Sequence, residues 1–337
     1  MNLYTQLLRP LLFTLDPEAV HHLAIGALAK FGSALQKFAP VNDPRLARTV
    51  FGVRFPNPVG LAAGFDKNAV ALPSWAALGF GFAEVGTITA RGQPGNPKPR
   101  IFRVPECGGL INRLGFNNDG ADAVADRLKR LADSGEWPRI PVGINIGKSK
   151  ATPLPEATSD YLLSFERLHH CGDYFVLNIS SPNTKGLRSL QDRRALEELL
   201  DTIQRRNTDR KPLLIKIAPD LDWPAIEQIL VLAEEHHLAG LIATNTTVDH
   251  SQIPERRRQE GGLSGCPLRE RSTQIVRFIA ERSTLPVIAA GGIMDVDSAL
   301  EKFDAGASLI QLYTGFVYEG PRLLREINAA LLRRSAR

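Results

Sequence analysis

Apolar positions in the first forty residues recur at helical spacing. Leu3, Leu7, Leu8, Leu11, Leu12 and Leu15 follow one another on one side of a turn of helix, which predicts a first amphipathic helix. Asp16-Pro17 then offers an N-cap with proline at the first helical position, the mark of a second start. That second helix is expected to carry Val20, Leu23, Ala24, Ala27, Leu28, Phe31, Leu35 and Phe38 on one broad face and to end before Pro40. From about residue 58 the pattern changes to short β-rich runs alternating with helical segments. The runs are Pro58 to Ala63, Phe82 to Thr89, Val142 to Gly147, Tyr174 to Ser180, Leu213 to Ala218, Gly240 to Thr246, Pro286 to Gly291 and Leu309 to Gly315. Most are continuously apolar, as strands covered on both faces are. The alternation predicts parallel strands with right-handed crossovers, hence an α/β chain folded as a (β/α)8 TIM barrel with an N-terminal two-helix extension. The expected division is residues 1–40 for the extension and 41–337 for the barrel. An open doubly wound sheet would alternate similarly, but no GxGxxG follows the first strand.

Polar residues collect where each run ends: Gly64-Phe65-Asp66-Lys67, Thr87, Asn145, Asn178 through Asn183, Lys216, Asn245-Thr246, Gly291-Gly292 and Tyr313-Thr314. The C-terminal strand ends are where barrel enzymes place their chemistry, so the clustering points to an enzyme.

Composition narrows the partners. Glycine (28) and proline (23) are spread along the 337 residues, leaving no linker or low-complexity tract. The formal charge of +5 and pI near 9.2 suit an anionic small molecule, a nucleic acid or an acidic membrane. The basic runs Arg205-Arg206, Arg256-Arg257-Arg258 and Arg333-Arg334 are short and far apart, which reads as solvated surface, and no nucleic acid is expected. Cys107, Cys171 and Cys266 lack metal-ligand spacing, so neither a metal nor a disulfide is expected and a reducing cytoplasm fits. No window approaches the ~18 apolar residues of a spanning helix, so membrane contact is expected to be peripheral.

Ala62-Ala63-Gly64-Phe65-Asp66-Lys67, Asn112-Arg113-Leu114-Gly115-Phe116-Asn117-Asn118 and Asn178-Ile179-Ser180-Ser181-Pro182-Asn183-Thr184 together resemble the dihydroorotate dehydrogenases. Lys216-Ile217-Ala218-Pro219-Asp220, Ala243-Thr244-Asn245-Thr246-Thr247, Gly261-Gly262-Leu263-Ser264-Gly265 and Gly291-Gly292-Ile293 follow in the family's order, so the resemblance covers nearly the whole chain. It implies one FMN per chain, hydride transfer from dihydroorotate to the flavin, removal of a neighbouring ring proton, and a place in pyrimidine (UMP) biosynthesis. The family's first class has cysteine where this chain has Ser181, so the chain resembles the second, quinone-reducing class. The resemblance makes Ser181 the base. No histidine or carboxylate adjoins it in sequence, so a relay through Thr184 and water is expected.

By the same resemblance, Lys67, Asn112, Arg113, Leu114, Gly115, Phe116, Asn178, Asn183, Asn245 and Thr246 surround the substrate. Neutral amides match the alternating donors and acceptors of orotate. Ala63, Gly64, Phe65, Asp66, Lys67, Thr87, Asn145, Asn178, Lys216, Thr244, Gly265, Gly292, Tyr313 and Thr314 are expected against FMN. Lys216 would stabilise negative charge on the reduced ring, and Gly265, Gly291 and Gly292 would let backbone N–H groups approach the phosphate.

The chain has neither an NAD fingerprint nor a cysteine set for an iron–sulfur partner, which leaves the N-terminal helices as the acceptor route. In the second class such helices form an apolar tunnel from the bilayer, and Leu15-Asp16-Pro17-Glu18 with His21 resembles that segment. His22 beside it leaves open which imidazole faces the tunnel. Arg103 and Tyr313 match positions near the inner end. The expected partners are ubiquinone or menaquinone and a membrane surface, for a monomer on the cytoplasmic face of the cell membrane. Three other readings make different demands. The soluble first class requires cysteine at 181 and no extension, an RNA-modifying flavin barrel requires a long basic surface, and a membrane scaffold would be colourless.

Overall fold

The computed structural model describes residues 3–35 and 43–335. Eight parallel strands close on themselves: β3 (Val59–Leu61), β4 (Phe82–Ile88), β7 (Val142–Ile146), β8 (Tyr174–Asn178), β9 (Leu213–Ile217), β10 (Gly240–Ala243), β12 (Val287–Ala290) and β13 (Leu309–Leu312). Each pairs with the next in chain order, and β13 returns to β3 through Gln311 opposite Gly60. Helices α3 (Leu72–Ala77), α4 (Ala121–Asp133), α5 (Ala157–Leu168), α6 (Arg193–Arg206), α7 (Trp223–Glu235), α8 (Arg269–Arg282), α9 (Val296–Asp304), α10 (Thr314–Glu319) and α11 (Arg322–Ser335) account for the crossovers and the outer layer. The eight expected runs all hold strands. The last two residues expected in the final run instead begin α10, and the run from Gly240 stops at Ala243.

The barrel is sealed at its N-terminal end. A hairpin absent from the sequence reading, β1 (Arg48–Val50) with β2 (Val53–Phe55), lies there. Phe55 meets Phe82 edge to face with ring centroids 5.2 Å apart, and Phe51 meets Phe55 at 5.5 Å. Large rings fit because facing positions are bare: a Cβ on Gly60 would fall 2.2 Å from Phe82 Cζ, and one on Gly143 2.2 Å from Tyr174 Cζ. With Val176, Leu214, Ile242 and Ile288 these rings form an apolar lower core. The opposite end stays open. Over its rim lies a three-stranded antiparallel sheet, also unexpected: β5 (Ile101–Val104), β6 (Gly109–Asn112) and β11 (Gly262–Gly265) in the order β11-β6-β5.

The extension differs in detail from expectation. Its first segment is a π-helical turn, Tyr4–Leu8, running into α1 (Arg9–Phe13), and Leu15 lies beyond it. It docks on α10: Tyr4 Oη donates to Val317 O at 2.6 Å, and Arg9 pairs with Glu319 at 3.1 Å. Asp16 accepts the Ala19 N–H at 2.8 Å and starts α2 (Pro17–Leu35) as its sequence predicts. Ser74 on α3 donates to Leu28 O at 2.7 Å, fixing α2 to the barrel. The expected apolar face is split: Leu28 packs against the barrel core, whereas other members face outward. Leu23 and Phe31 are 63% and 53% exposed, and Leu3, Leu7, Leu8, Leu11 and Leu15 continue an exposed apolar row. Phe38, the expected end before Pro40 and the boundary between residues 40 and 41 lie outside the described residues. No described helix is long and apolar enough to cross a membrane.

Candidate active site

At the open end the strand termini surround a cavity of about 1000 Å³, the open solvent of its mouth included. It gathers segments from both ends of the chain. Ala63, Gly64 and Lys67 follow β3, Thr87 lies on β4, Asn112 ends β6 with Leu114, Gly115 and Phe116 beyond it, and Asn178 ends β8 with Ser181 and Asn183 beyond it. Lys216, Thr244, Asn245, Thr246, Gly265, Gly292, Tyr313 and Thr314 complete the expected set on the wall.

Side-chain amides are locked together. Asn178 donates to Thr87 Oγ1 at 2.9 Å and accepts from Asn245 Nδ2 at 3.3 Å, and Asn245 also donates to Ser180 Oγ at 2.9 Å. Across the mouth Asn183 Nδ2 donates to Asn112 Oδ1 at 3.2 Å. Each amide therefore has a fixed orientation, which is what discrimination among neutral donors and acceptors needs. Ser181 Oγ accepts the Asn183 N–H at 3.3 Å, and Ser181 is buried. The described lining includes neither a histidine nor a carboxylate, so its titratable groups are Lys67, Lys216 and Tyr313. Burial draws the Lys67 ammonium down to about 8, with the Arg100 charge adding to the fall and Glu18 and Asp66 opposing it.

Five expected contacts take other places. Arg113 turns away, donating to Pro99 O at 3.0 Å with its guanidinium over the Phe102 ring. Asp66 accepts the Val70 and Ala71 N–H groups, both at 2.9 Å, and Trp75 Nε1, which occupies its carboxylate with shaping the turn. Asn145 stands one layer behind Thr87, whose Oγ1 donates to it at 2.6 Å. Thr184 is buried outside the cavity wall. Phe65 is a hinge of the aromatic packing, with ring centroids 5.1 Å from both Tyr313 and His21.

That stack also separates the two histidines. His21 packs against Phe65, and burial draws it down to about 3, helped by the Lys67 charge. His22 points outward, 3.4 Å from Glu18. Arg103 sits at the turn of the extension, donating to Leu15 O at 2.9 Å with Phe13 under its guanidinium. His21 and Tyr313 thus share one aromatic path to the cavity, whereas Arg103 braces the helices from the side.

Three features escaped the sequence reading. Glu84, fully buried inside the barrel, accepts from Asn145 Nδ2 at 2.8 Å and Gln311 Nε2 at 2.6 Å. Burial pushes its carboxyl up and the Lys216 ammonium down, each charge partly offsetting the other's shift. Arg188 donates to Ser180 O at 3.0 Å and Thr246 O at 3.2 Å and pairs with Asp220 at 2.8 Å, tying two site loops together. Ser264 shares a 2.8 Å hydrogen bond with Thr314. The signal that could have found Glu84 is a lone carboxylate inside the apolar run Phe82 to Thr89.

Gln311 lines the cavity with Oε1 buried and unpartnered among the described residues, on a wall that also includes Lys216 and the glycine turns at 265 and 291–292. A planar heterocycle with donors and acceptors, carrying an anionic tail, suits this set.

The sequence profile of the dihydroorotate dehydrogenase family matches residues 45–334. Proteins named dihydroorotate dehydrogenase (quinone) from Gloeobacter violaceus and a Synechococcus strain are 53% and 52% identical, spanning 100% and 99% of this chain and 96% and 95% of theirs. The dihydroorotate dehydrogenase of Eimeria tenella, solved in complex with ferulenol, superposes with a TM-score of 0.87 at 37% identity, covering 96% of this chain and 95% of that one. Its ligand-free form gives 0.86 at 38%, with 96% of each chain covered. By fold and by sequence over nearly its whole length, this chain belongs to the dihydroorotate dehydrogenase family.

Proposed function

We propose that the chain oxidises (S)-dihydroorotate to orotate with one bound FMN and delivers the electrons to a membrane quinone, a step of pyrimidine (UMP) biosynthesis. The observation that carries this reading is the convergence of Ser181, the four asparagine amides and Lys216 on one cavity at the open barrel end. The donor set fits the cofactor. Thr87, Thr244 and Lys216 would hold the flavin ring, with Asn145 supporting from behind, and Gly265, Gly292 and Thr314 would hold the phosphate. Held there, FMN would supply the two-electron chemistry, as hydride acceptor for dihydroorotate and electron donor for ubiquinone or menaquinone.

The chain's own residues do the rest. Lys67 and the amides of Asn112, Asn178, Asn183 and Asn245, with Thr246, orient the substrate carboxylate and imide edge. Ser181 Oγ removes the proton from the neighbouring ring carbon, with Thr184 assigned to the relay that carries it onward. Lys216 places positive charge where negative charge develops. Residues 1–40 act as the quinone-delivering extension, with His21 and Tyr313 toward the flavin, and 41–337 act as the catalytic barrel. The exposed leucine row supports peripheral attachment, here assigned to the cytoplasmic face of the cell membrane, with the chain a monomer.

Dihydroorotate added anaerobically to the purified yellow protein is expected to bleach the flavin absorbance, and a ubiquinone analogue to restore it. Absence of bleaching overturns the substrate; bleaching without recovery overturns the acceptor.

A further inference from the structure

Beneath the turn that follows β12 lies a lysine with no part in the chemistry above. Lys302, on α9, is fully buried, a placement that lysine rarely adopts without a compensating anion. Its Nζ donates to Arg269 O at 3.0 Å, to Thr273 Oγ1 at 2.6 Å and to Ser272 Oγ. All three donors are therefore met by uncharged oxygens. The acid next to it in sequence, Glu301, is held instead by the Arg269 guanidinium, with Nε 2.8 Å from its carboxylate. Burial draws the Lys302 ammonium down to about 7, with Glu301 opposing the fall and Arg269 adding to it. Hydrogen bonding is satisfied, but the charge lacks a close opposite charge among the described residues.

Two connections lead from this ammonium to the cavity. Ser272, which receives one of its protons, donates on to Gly291 O at 2.8 Å. Gly291 and Gly292 line the cavity, and their turn is pressed against the start of α8: a Cβ on Gly292 would fall 2.1 Å from Arg269 Cα. Lys302 stands directly behind that contact. All of its bonds go to the first five residues of a fourteen-residue helix, near the positive end of its peptide dipoles. A cation there is electrostatically misplaced unless an anion faces the same helix end from the other side.

We infer that Lys302 is a positioning residue for the flavin phosphate: its buried ammonium supplies countercharge behind the Gly291–Gly292 turn and, through Ser272, fixes that turn in its phosphate-accepting shape. The inference rests on the reading of Gly265, Gly292 and Thr314 as the phosphate cradle. It goes beyond that reading in assigning a residue that lines no part of the cavity. Discrimination is its consequence. A ligand with a dianionic tail gains from Lys302, whereas the same ring without phosphate gains nothing.

The full-length protein, stripped of flavin, is titrated with FMN and separately with riboflavin, following the quenching of flavin fluorescence. Lys302→Met removes the charge at similar length and volume. It is expected to weaken FMN binding roughly tenfold or more, a decade for each 1.4 kcal/mol, and to leave riboflavin binding within about twofold. Ser272→Ala, which keeps the charge and breaks the link to Gly291, is expected to narrow the FMN-over-riboflavin preference by a smaller factor, and it carries the test if Lys302→Met fails to fold. Equal weakening of both ligands, or no weakening of FMN in either variant, overturns the inference. A wild-type protein that binds FMN no more tightly than riboflavin overturns the cradle, and the inference with it.

Discussion

Glu18 and Arg100, 82 positions apart, meet across the seam between the N-terminal helices and the barrel: Arg100 Nε lies 3.1 Å from both Glu18 carboxylate oxygens and Nη2 lies 2.7 Å from Oε1. Both side chains are buried. Arg100 also donates to Pro94 O at 2.6 Å and Asn96 O at 2.8 Å, and Asn96 Nδ2 donates to Arg113 O at 3.0 Å in the loop after β6. The extension therefore holds the segment that frames the substrate side of the cavity.

Breaking a buried pair by neutralising one partner costs about 3–5 kcal/mol, so Glu18→Gln is expected to lower the thermal unfolding midpoint by several degrees. It also removes a charge that holds the Lys67 ammonium up. In its proposed role Lys67 must be protonated to grip the substrate carboxylate, so affinity is expected to be full below its pKa and lost as pH rises through about 8. In Glu18→Gln the alkaline rise in KM for dihydroorotate is expected at lower pH. A pH profile of KM with an unmoved limb would refute the coupling.

Ser181→Ala is expected to slow flavin reduction by dihydroorotate by about 10² to 10⁴, the usual worth of a positioned base. Flavin content and quinone reduction by prereduced enzyme should persist. Anaerobic stopped-flow absorbance separates the two half-reactions, and an unchanged reduction rate would dismiss Ser181 as the base.

Lys216 and Glu84 are expected to move the flavin midpoint potential in opposite directions. With Lys216 in its proposed place beside the ring, Lys216→Met removes positive charge there and is expected to lower the potential. Glu84→Gln removes the opposing charge and raises it. Shifts of tens of millivolts are expected, since about 30 mV corresponds to 1.4 kcal/mol for two electrons. Spectroelectrochemical titration reads both, and shifts of the same sign would disprove the assignment.

Leu11 and Leu23 are 65% and 63% exposed, so a charge at either place should leave the fold intact. The double variant Leu11→Glu, Leu23→Glu is expected to lose sedimentation with anionic phospholipid vesicles while keeping dihydroorotate-driven bleaching. Undiminished sedimentation would rule out attachment through this row.

The eight barrel strands were legible because buried parallel strands leave unbroken apolar runs, and the polar residues after them marked the rim. The rim sheet was not legible. Ile101–Val104 and Gly109–Asn112 are four residues each, too short for a periodicity, and their pairing with Gly262–Gly265 is set by tertiary contact. Asp66 and Arg113 sat inside recognised motifs, yet their side chains serve the turns that present the motif's neighbours. Proximity in sequence to a site residue does not fix which way a side chain points. His21 and His22 show the converse: adjacent imidazoles were indistinguishable until Phe65 appeared on one side of the helix and solvent on the other.

The Phe51–Phe55 plug and the rings of Phe82 and Tyr174 make the barrel a blind alley, closed below and open above. Nothing that takes part in turnover needs to pass through the lower half, so that half is free to vary for robustness alone. Repacking at Val176, Leu214 or Ile288 would register in heat resistance long before it registered at the flavin. One chain thus offers an engineer two nearly independent dials, set along a single axis.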